Sequence, residues 1–209
     1  MQLTTTAFAD MAPIPGEFAF AVIDPVAHVK LSANRNPDFA WSDAPTGTRS
    51  FALVCHDPDV PSSGEDVNQE GRVVPASLPR VDFFHWVLVD LPASARGIAR
   101  GAHADGVVAR GKPGSTAPDR ARHGVNDYTG WFAADPAMSG NYFGYDGPCP
   151  PWNDAIAHRY VFTLYALDVP TLAVSGAFTG SQARAAMKGH VLAEASVTGR
   201  YTLNPDVRL

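Results

Sequence analysis

The sequence contains little cysteine, little charge and no long hydrophobic run. Only Cys55 and Cys149 are cysteines among 209 residues, so at most one disulfide can form and a disulfide framework is excluded. No stretch approaches the roughly 20 apolar residues of a membrane-spanning helix. The N-terminus has neither the basic nor the apolar region of a signal peptide. We therefore expect a cytoplasmic protein with free thiols and no transmembrane segment.

Positive charge is also scarce, and it is not concentrated anywhere. Charged residues make up 18% of the chain, and the formal net charge is -5. Binding to a nucleic-acid backbone needs clustered Lys and Arg, whereas the longest basic cluster, residues 120–123, is short. The composition therefore argues against a nucleic-acid partner.

Glycine and proline, by contrast, are abundant, with 18 of each around short apolar runs. Runs of strand length occur at residues 18–23, 50–55, 83–91, 158–167 and 197–203. In the third run, strict alternation places His85 and Val87 on one face, and Trp86 and Leu88 on the other. Because both faces are mostly apolar, we predict that this strand is central and covered on both sides.

Only one helix has a clear start signal. Thr179 and Gln182 have the spacing of a capping box, and residues with helical spacing continue as far as Glu194. A second helical candidate is residues 91–101. Many short strands and one late helix are typical of a mainly β fold, a β-sandwich or a close relative, and we predict a single domain over residues 1–209.

Two segments, 62–82 and 110–146, have no clear periodicity and are long for loops. The second is rich in aromatic residues, which disordered segments lack. We therefore expect it to be ordered and to border a pocket.

Four polar residues lie at or near the ends of predicted strands: Asp57, His85, His158 and Tyr160. His158 and Tyr160 are two residues apart, so they share a face of their strand. Two imidazole N–H groups and a phenol hydroxyl are suitable donors for a small anion, and Asp57 can orient a histidine or accept from a ligand. Together they predict one small anion pocket.

Prolines stiffen the approaches to this pocket. Pro58 follows Asp57 directly, and three of the five residues 147–151 are prolines. Because proline fixes φ and has no N–H, segment 147–151 is predicted to form a rigid wall and not a cradle of N–H groups.

These motifs, in this order, resemble the phosphatidylethanolamine-binding protein family and more closely its bacterial branch of Raf kinase inhibitor-like proteins. The similar segments are residues 41–53, 57–61, 85–92, 144–151, 158–160 and 186–193. The resemblance implies a large central antiparallel sheet with a smaller sheet and a C-terminal helix. It also implies a phosphate-type ligand, such as a phospholipid or phosphoethanolamine-like head group, and a homodimer. The ligand-binding residues implied are Asp57, Pro58, His85, Gly147, Pro148, Pro150, His158 and Tyr160.

Segments 62–82 and 131–143 depart from the bacterial pattern, because both are enlarged. They affect the expected ligand size, pocket access and partner choice, and they leave the expected fold unchanged.

Three functions fit these residues. The first is a non-enzymatic binding protein that modulates signalling through a phosphate-type ligand or a phosphorylated partner. The second is an inhibitor whose loops engage a kinase or a protease. The third is an enzyme that uses the Asp and His residues for acid–base or metal chemistry. The sequence has no nucleophile elbow, P-loop or zinc-protease motif. We therefore rank binding first, and we predict no catalytic residue, metal or cofactor.

Overall fold

Three antiparallel sheets and two short helices make up the fold. The computed structural model describes residues 1–209. Its elements are, in chain order, β1 (Gln2–Thr4), β2 (Ala21–Asp24), β3 (His28–Leu31), β4 (Phe39–Ser42), β5 (Ser50–Pro61), β6 (Arg80–Pro92), β7 (Gly97–Ile98), β8 (Arg122–His123), α1 (Tyr128–Trp131), β9 (His158–Leu167), α2 (Gly180–Met187) and β10 (Val191–Tyr201). Two single turns of 3-10 helix lie at Gly16–Phe18 and Pro118–Arg120.

The four longest strands and the two-residue β8 form one five-stranded sheet in the order β10-β9-β5-β6-β8. Every neighbouring pair in it is antiparallel. Two smaller sheets, β1-β4-β7 and the hairpin β2-β3, accompany it. The predicted mainly β fold, with a large central sheet, smaller sheets and a C-terminal helix, is confirmed.

Apolar side chains cover both faces of the central sheet. On one face, Trp86 and Phe162 belong to the larger hydrophobic core, together with residues of the smaller sheets and of segment 110–146. On the other face, Val87 packs in a smaller core with Ala183 and Met187 of α2. The apolar runs have few polar gaps because these strands are buried on both sides, as predicted for β6.

A β-bulge in β6 changes the predicted facing of its side chains. Cys55 pairs with Trp86 and His56 pairs with Phe84, so His85 is an extra residue with no partner on β5. Bulges re-aim side chains and are frequent near functional sites. His85 and Trp86 consequently both contact the larger core, and the prediction from strict alternation, which put them on opposite faces, was wrong.

The C-terminal helix forms its predicted cap but is shorter than predicted. Thr179 N–H donates to Gln182 Oε1 (2.9 Å), and Gln182 N–H donates to Thr179 Oγ1 (3.3 Å). The helix ends at Met187. The chain turns at Gly189, whose φ of 87° favours glycine, and β10 begins at Val191.

Two further sequence predictions were wrong. The last strand starts at Val191 instead of residue 197, because the residues after Gly189 pair with β9. Residues 91–101 contain the end of β6 and all of β7, with no helix. The pairing of β4 with β7 outweighs any helical preference there.

No helix is long and apolar enough to cross a membrane, since α2, the longest, has only eight residues.

Candidate functional site: a cavity at the ends of three strands

A cavity of about 360 Å³ lies where the pairing of β5 with β9 ends, beside the bulge in β6. The last paired residues of β5 and β9 are His56 and Val161, so Asp57 comes directly after the pairing ends. Asp57, His85, His158 and Tyr160 all line the cavity. Of its 21 lining residues, 13 are hydrophobic and none is Lys or Arg. The site is therefore an apolar cavity with a few polar groups at one end.

A chain of buried charges forms the polar end. His158 donates from Nδ1 to Asp57 Oδ2 (2.7 Å) and from Nε2 to Asp154 Oδ2 (3.1 Å). Arg80 donates twice to Asp154, from Nη1 to Oδ2 (2.6 Å) and from Nη2 to Oδ1 (3.1 Å). Since Arg80 and a protonated His158 offset the two carboxylates, the chain is neutral overall.

The two carboxylates keep His158 protonated. Burial opposes the charge of the ring, but Asp57 and Asp154 outweigh burial and raise the pKa of His158 to about 9. Both ring nitrogens bond to carboxylates, so neither N–H remains for a ligand. The sequence prediction that both histidines donate to an anion is therefore wrong for His158, which instead holds Asp57 in place.

His85 is in the opposite protonation state. Its Nδ1 lies 2.8 Å from the carbonyl oxygen of Asp146. Because a carbonyl only accepts, Nδ1 carries the hydrogen, and Nε2 of the neutral ring presents a lone pair. Burial lowers the pKa of His85 to about 4, so the ring is neutral at physiological pH. The sequence prediction of donation to an anion is therefore wrong for His85 as well, because its free Nε2 accepts.

Aromatic rings hold His85 on several sides. Tyr128 and Tyr160 meet it edge-on, with ring centroids 5.5 Å and 5.0 Å away, and Phe83 lies at 4.9 Å. His85 Nε2 and the Tyr160 hydroxyl are buried and have no hydrogen-bond partner in the protein. Unpaired buried polar atoms are costly and rare. These two therefore mark the part of the cavity where a polar ligand group would be favoured.

Asp146 is a second buried anchor, and the sequence reasoning missed it. Its carboxylate accepts from Asn34 Nδ2 (2.8 Å), Lys112 Nζ (2.7 Å) and Asn126 Nδ2 (2.8 Å). Burial raises the pKa of this carboxyl, and the bond to Lys112 opposes the rise. These bonds position the Asp146 carbonyl that fixes the tautomer of His85.

The proline-rich segment 147–151 forms part of the wall, as expected. Cys149, Pro150 and Pro151 line the cavity. Gly147 lies behind them, where a Cβ would collide with the carbonyl oxygen of Phe18. Only glycine therefore allows this close approach.

Residues of both enlarged segments also line the cavity. Val67 and Asn68 come from the first segment, and Trp131, Phe132 and Met138 come from the second. The expectation that segment 110–146 is ordered and borders the pocket agrees with this placement.

The family model described as phosphatidylethanolamine-binding protein matches residues 4–202. The chain belongs to this family. The UPF0098 protein YbhB of Escherichia coli (strain K12) is 31% identical over 169 residues, which cover 81% of this chain and 82% of YbhB. A UPF0098 protein of Methanothermobacter thermautotrophicus is 31% identical over 201 residues, covering 96% and 98% of the two chains.

Solved structures of the phosphatidylethanolamine-binding protein family share the fold. E. coli YbcL superposes with a TM-score of 0.69 at 24% identity, over 96% of this chain and 97% of YbcL. The homologue CT736 of Chlamydia trachomatis gives 0.62 at 28% identity, over 96% and 95%.

The eight residues that the family resemblance implied as ligand-binding divide into two groups. Five line the cavity: Asp57, His85, Pro150, His158 and Tyr160. Pro58, Gly147 and Pro148 lie outside the lining. Gly147 donates its N–H to Asn34 Oδ1 (2.8 Å), and the Pro148 carbonyl accepts from Phe20 N–H (2.9 Å). These two thus support the wall from behind.

Arg80 and Asp154 were also missed by the sequence reasoning. Arg80 lies at the end of a segment without periodicity, and Asp154 lies in the short spacer before His158. The only sequence signal was a polar pair, Asn153-Asp154, in an otherwise apolar spacer.

Proposed function

We propose that this protein is a non-catalytic binding protein whose cavity takes one phosphate-type head group at His85 and Tyr160. The supporting observation is the pair of buried, unpaired polar atoms, His85 Nε2 and the Tyr160 hydroxyl, at the polar end of an apolar cavity. A hydroxyl that donates to a phosphate oxygen and a lone pair that accepts from a P–OH group match a phosphate monoanion.

The geometry favours the monoanion over the dianion. A fully deprotonated phosphate would direct charge at the His85 lone pair, beside the buried Asp57 carboxylate. No Lys or Arg lines the cavity to compensate. Since a phosphomonoester loses its second proton near pH 6, we expect affinity to fall as the pH rises above about 6.

Binding is favoured over catalysis by the state of the candidate catalytic groups. Both nitrogens of His158 are bonded to carboxylates, so this ring has no free position for proton transfer. Burial raises the pKa of Cys149 to about 12, so its thiol is not a nucleophilic thiolate at neutral pH.

The test is a calorimetric or NMR titration with inorganic phosphate between pH 5 and pH 8. We expect saturable binding that weakens towards the alkaline end of this range, where inorganic phosphate has lost its second proton, and at least a tenfold loss of affinity in His85→Ala. The matched control is His56→Ala, because His56 is a partly buried histidine on the neighbouring strand that does not line the cavity. Equal affinities of wild type and His85→Ala would contradict the proposal.

A further inference from the structure

Hairpin β2–β3, which we call the flap (residues 21–31), is a separate sheet that needs support from the rest of the fold. Its two strands pair with each other and with no other strand. A two-stranded sheet of this kind is at best marginally stable by itself in water. Contacts outside the hairpin must therefore hold the flap in place.

The flap forms one side of the cavity. Ala21, Val29 and Leu31 line it. In the hairpin, Ala21 is opposite Leu31 and Ile23 is opposite Val29, so the four side chains share one face. Ala21 is buried, but Ile23 and Leu31 are 42% and 62% exposed. The cavity face of the flap is therefore only partly packed against the core.

Hydrogen bonds fix the base of the flap, where β2 begins. Phe20 N–H and Ala21 N–H both donate to the Pro148 carbonyl (2.9 Å and 3.4 Å). The Tyr201 hydroxyl donates to the Ala21 carbonyl (2.8 Å). The base is therefore attached to the cavity wall and to the end of β10.

The tip of the flap depends on one side chain, His28. Its ring stacks on Trp152, with ring centroids 3.8 Å apart and planes 7° from parallel, and its Nε2 donates to Glu70 Oε1 (2.6 Å). From residue 22 to residue 31, this is the only hydrogen bond to the protein outside the flap. Loss of His28 would therefore leave the tip without a polar contact to the rest of the protein.

The partners of His28 lie on a fixed part of the cavity wall. Trp152 follows the proline-rich segment, and Glu70 belongs to the first enlarged segment. Trp152 N–H donates to Asn68 Oδ1 (3.0 Å), and Asn68 N–H donates to Asn153 Oδ1 (3.0 Å). These bonds join the two segments, so the tip of the flap meets an anchored surface.

We propose that the flap opens and closes the cavity about its fixed base, and that the contacts of His28 with Trp152 and Glu70 form the latch. The side chains of His28 and Glu70 are 41% and 81% exposed, and exposed ion pairs contribute little to stability. The closed flap is therefore only moderately favoured, and it can open locally while the core stays folded.

Cys149 provides a probe of this opening, because it lines the cavity and is one of only two thiols. The other, Cys55, is fully buried in the core and reports global unfolding. Labelling with iodoacetamide, followed by mass spectrometry, therefore distinguishes local opening from unfolding. When opening and closing are faster than labelling, the labelling rate of Cys149 follows the population of the open flap.

The main variant is His28→Asn. The φ of His28 is 61°, a conformation that asparagine tolerates, so the replacement removes the stacked ring and the bond to Glu70 with little backbone strain. We expect Cys149 to be labelled about tenfold faster than in wild type, from the combined loss of an aromatic stack and an exposed ion pair. Cys55 should stay unlabelled.

Two further variants test the specificity of the latch. Glu70→Ala removes the bond and leaves the His28 ring on Trp152, so it should raise the labelling rate by less than His28→Asn. The control is His190→Asn, because His190 bonds Asp168 (2.9 Å) and its side chain is 43% exposed, close to the value for His28. This control should keep the wild-type rate.

Hydrogen exchange gives a second readout. Amide groups of residues 21–31 should exchange faster in His28→Asn, because β2 and β3 bond only to each other once the tip is released. Amide groups of β9 should exchange as in wild type. Both readouts are measured on the ligand-free protein, so they are independent of which ligand the cavity takes.

Three results would overturn the latch. The first is a wild-type labelling rate of Cys149 in His28→Asn, and the second is an equal rise in His190→Asn. The third is labelling of Cys55 in parallel with Cys149, because the variant would then unfold globally instead of opening at the flap.

Discussion

Replacing Asp154 with Asn tests the buried charge chain most directly. Asp154 bonds both Arg80 and His158, and its side chain is only 1% exposed. The variant keeps the size of the side chain but removes a negative charge between two cations. We therefore expect Asp154→Asn to destabilise the fold by about 3 kcal/mol, near the lower end of values for broken buried ion pairs.

The same chain makes stability depend on pH. The pKa of His158 is about 9 in the fold against an ordinary value of 6.5, which corresponds to about 3–4 kcal/mol at about 1.4 kcal/mol per pKa unit. The folded state keeps this proton between pH 6.5 and 9, where the unfolded chain releases it. The contribution is therefore fully present below pH 6.5 and is lost as the pH rises through 9.

The assay is urea unfolding of wild type and variant at several pH values from 6 to 9.5. Wild-type stability should decline over this range, and the decline should be much smaller in Asp154→Asn. The control is Asp168→Asn, because Asp168 bonds His190 (2.9 Å) in a pair whose side chains are 45% and 43% exposed. Exposed pairs contribute about 1 kcal/mol or less. Equal losses in both variants, or a wild-type stability that is flat from pH 6.5 to 9, would refute the reasoning.

Three further predictions concern acid stability, thiol reactivity and the helix cap. Stability should also fall as the pH drops from 6.5 towards 4, because burial lowers the folded-state pKa of four histidines and the unfolded chain then binds more protons. They are His85 (about 4), His103 (about 4), His123 (about 3) and His56. Urea unfolding should show a maximum near pH 6.5, and a continuous rise down to pH 5 would contradict this. Iodoacetamide at pH 7.5 should label Cys149 slowly, and more slowly still with phosphate bound. Buried Cys55 should react only after unfolding. Mass spectrometry of native wild type and Cys149→Ser would detect any early label on Cys55. Thr179→Ala should cost about 1 kcal/mol through the lost cap, and Ser181→Ala, the exposed neighbour, should cost less in the same unfolding assay.

The sequence was sufficient for the parts of the structure that follow a regular pattern. The runs at 50–55 and 158–167 became central strands because their apolar residues are covered on both faces. The cap at Thr179 formed because its bonds are local. Alternation failed in β6 because it assumes that no residue is inserted, and the bulge at His85 inserts one. A residue inserted in one strand becomes visible only once the partner strand is known.

The charged contacts of the site could not be predicted for a related reason. Arg80 and Asp154 are 74 residues apart in the chain, and neither belongs to a motif. The proline-rich segment and the strand ends indicated which residues approach the cavity. They did not indicate which of them bond to one another, because those bonds depend on how the segments without periodicity fold back.

The two histidines of the site show that residue type alone does not determine the protonation state of a side chain. His158 lies between two carboxylates and is held as a cation, whereas His85 lies between a carbonyl and aromatic rings and is held neutral. The cation bonds to Asp57 and Asp154 and has no N–H left for a ligand, and the neutral ring presents a lone pair. A phosphate that binds here must therefore carry the proton that it shares with His85 Nε2. This requirement links ligand affinity to pH through the second ionisation of the phosphate, while His158 links stability to pH over a separate and higher range.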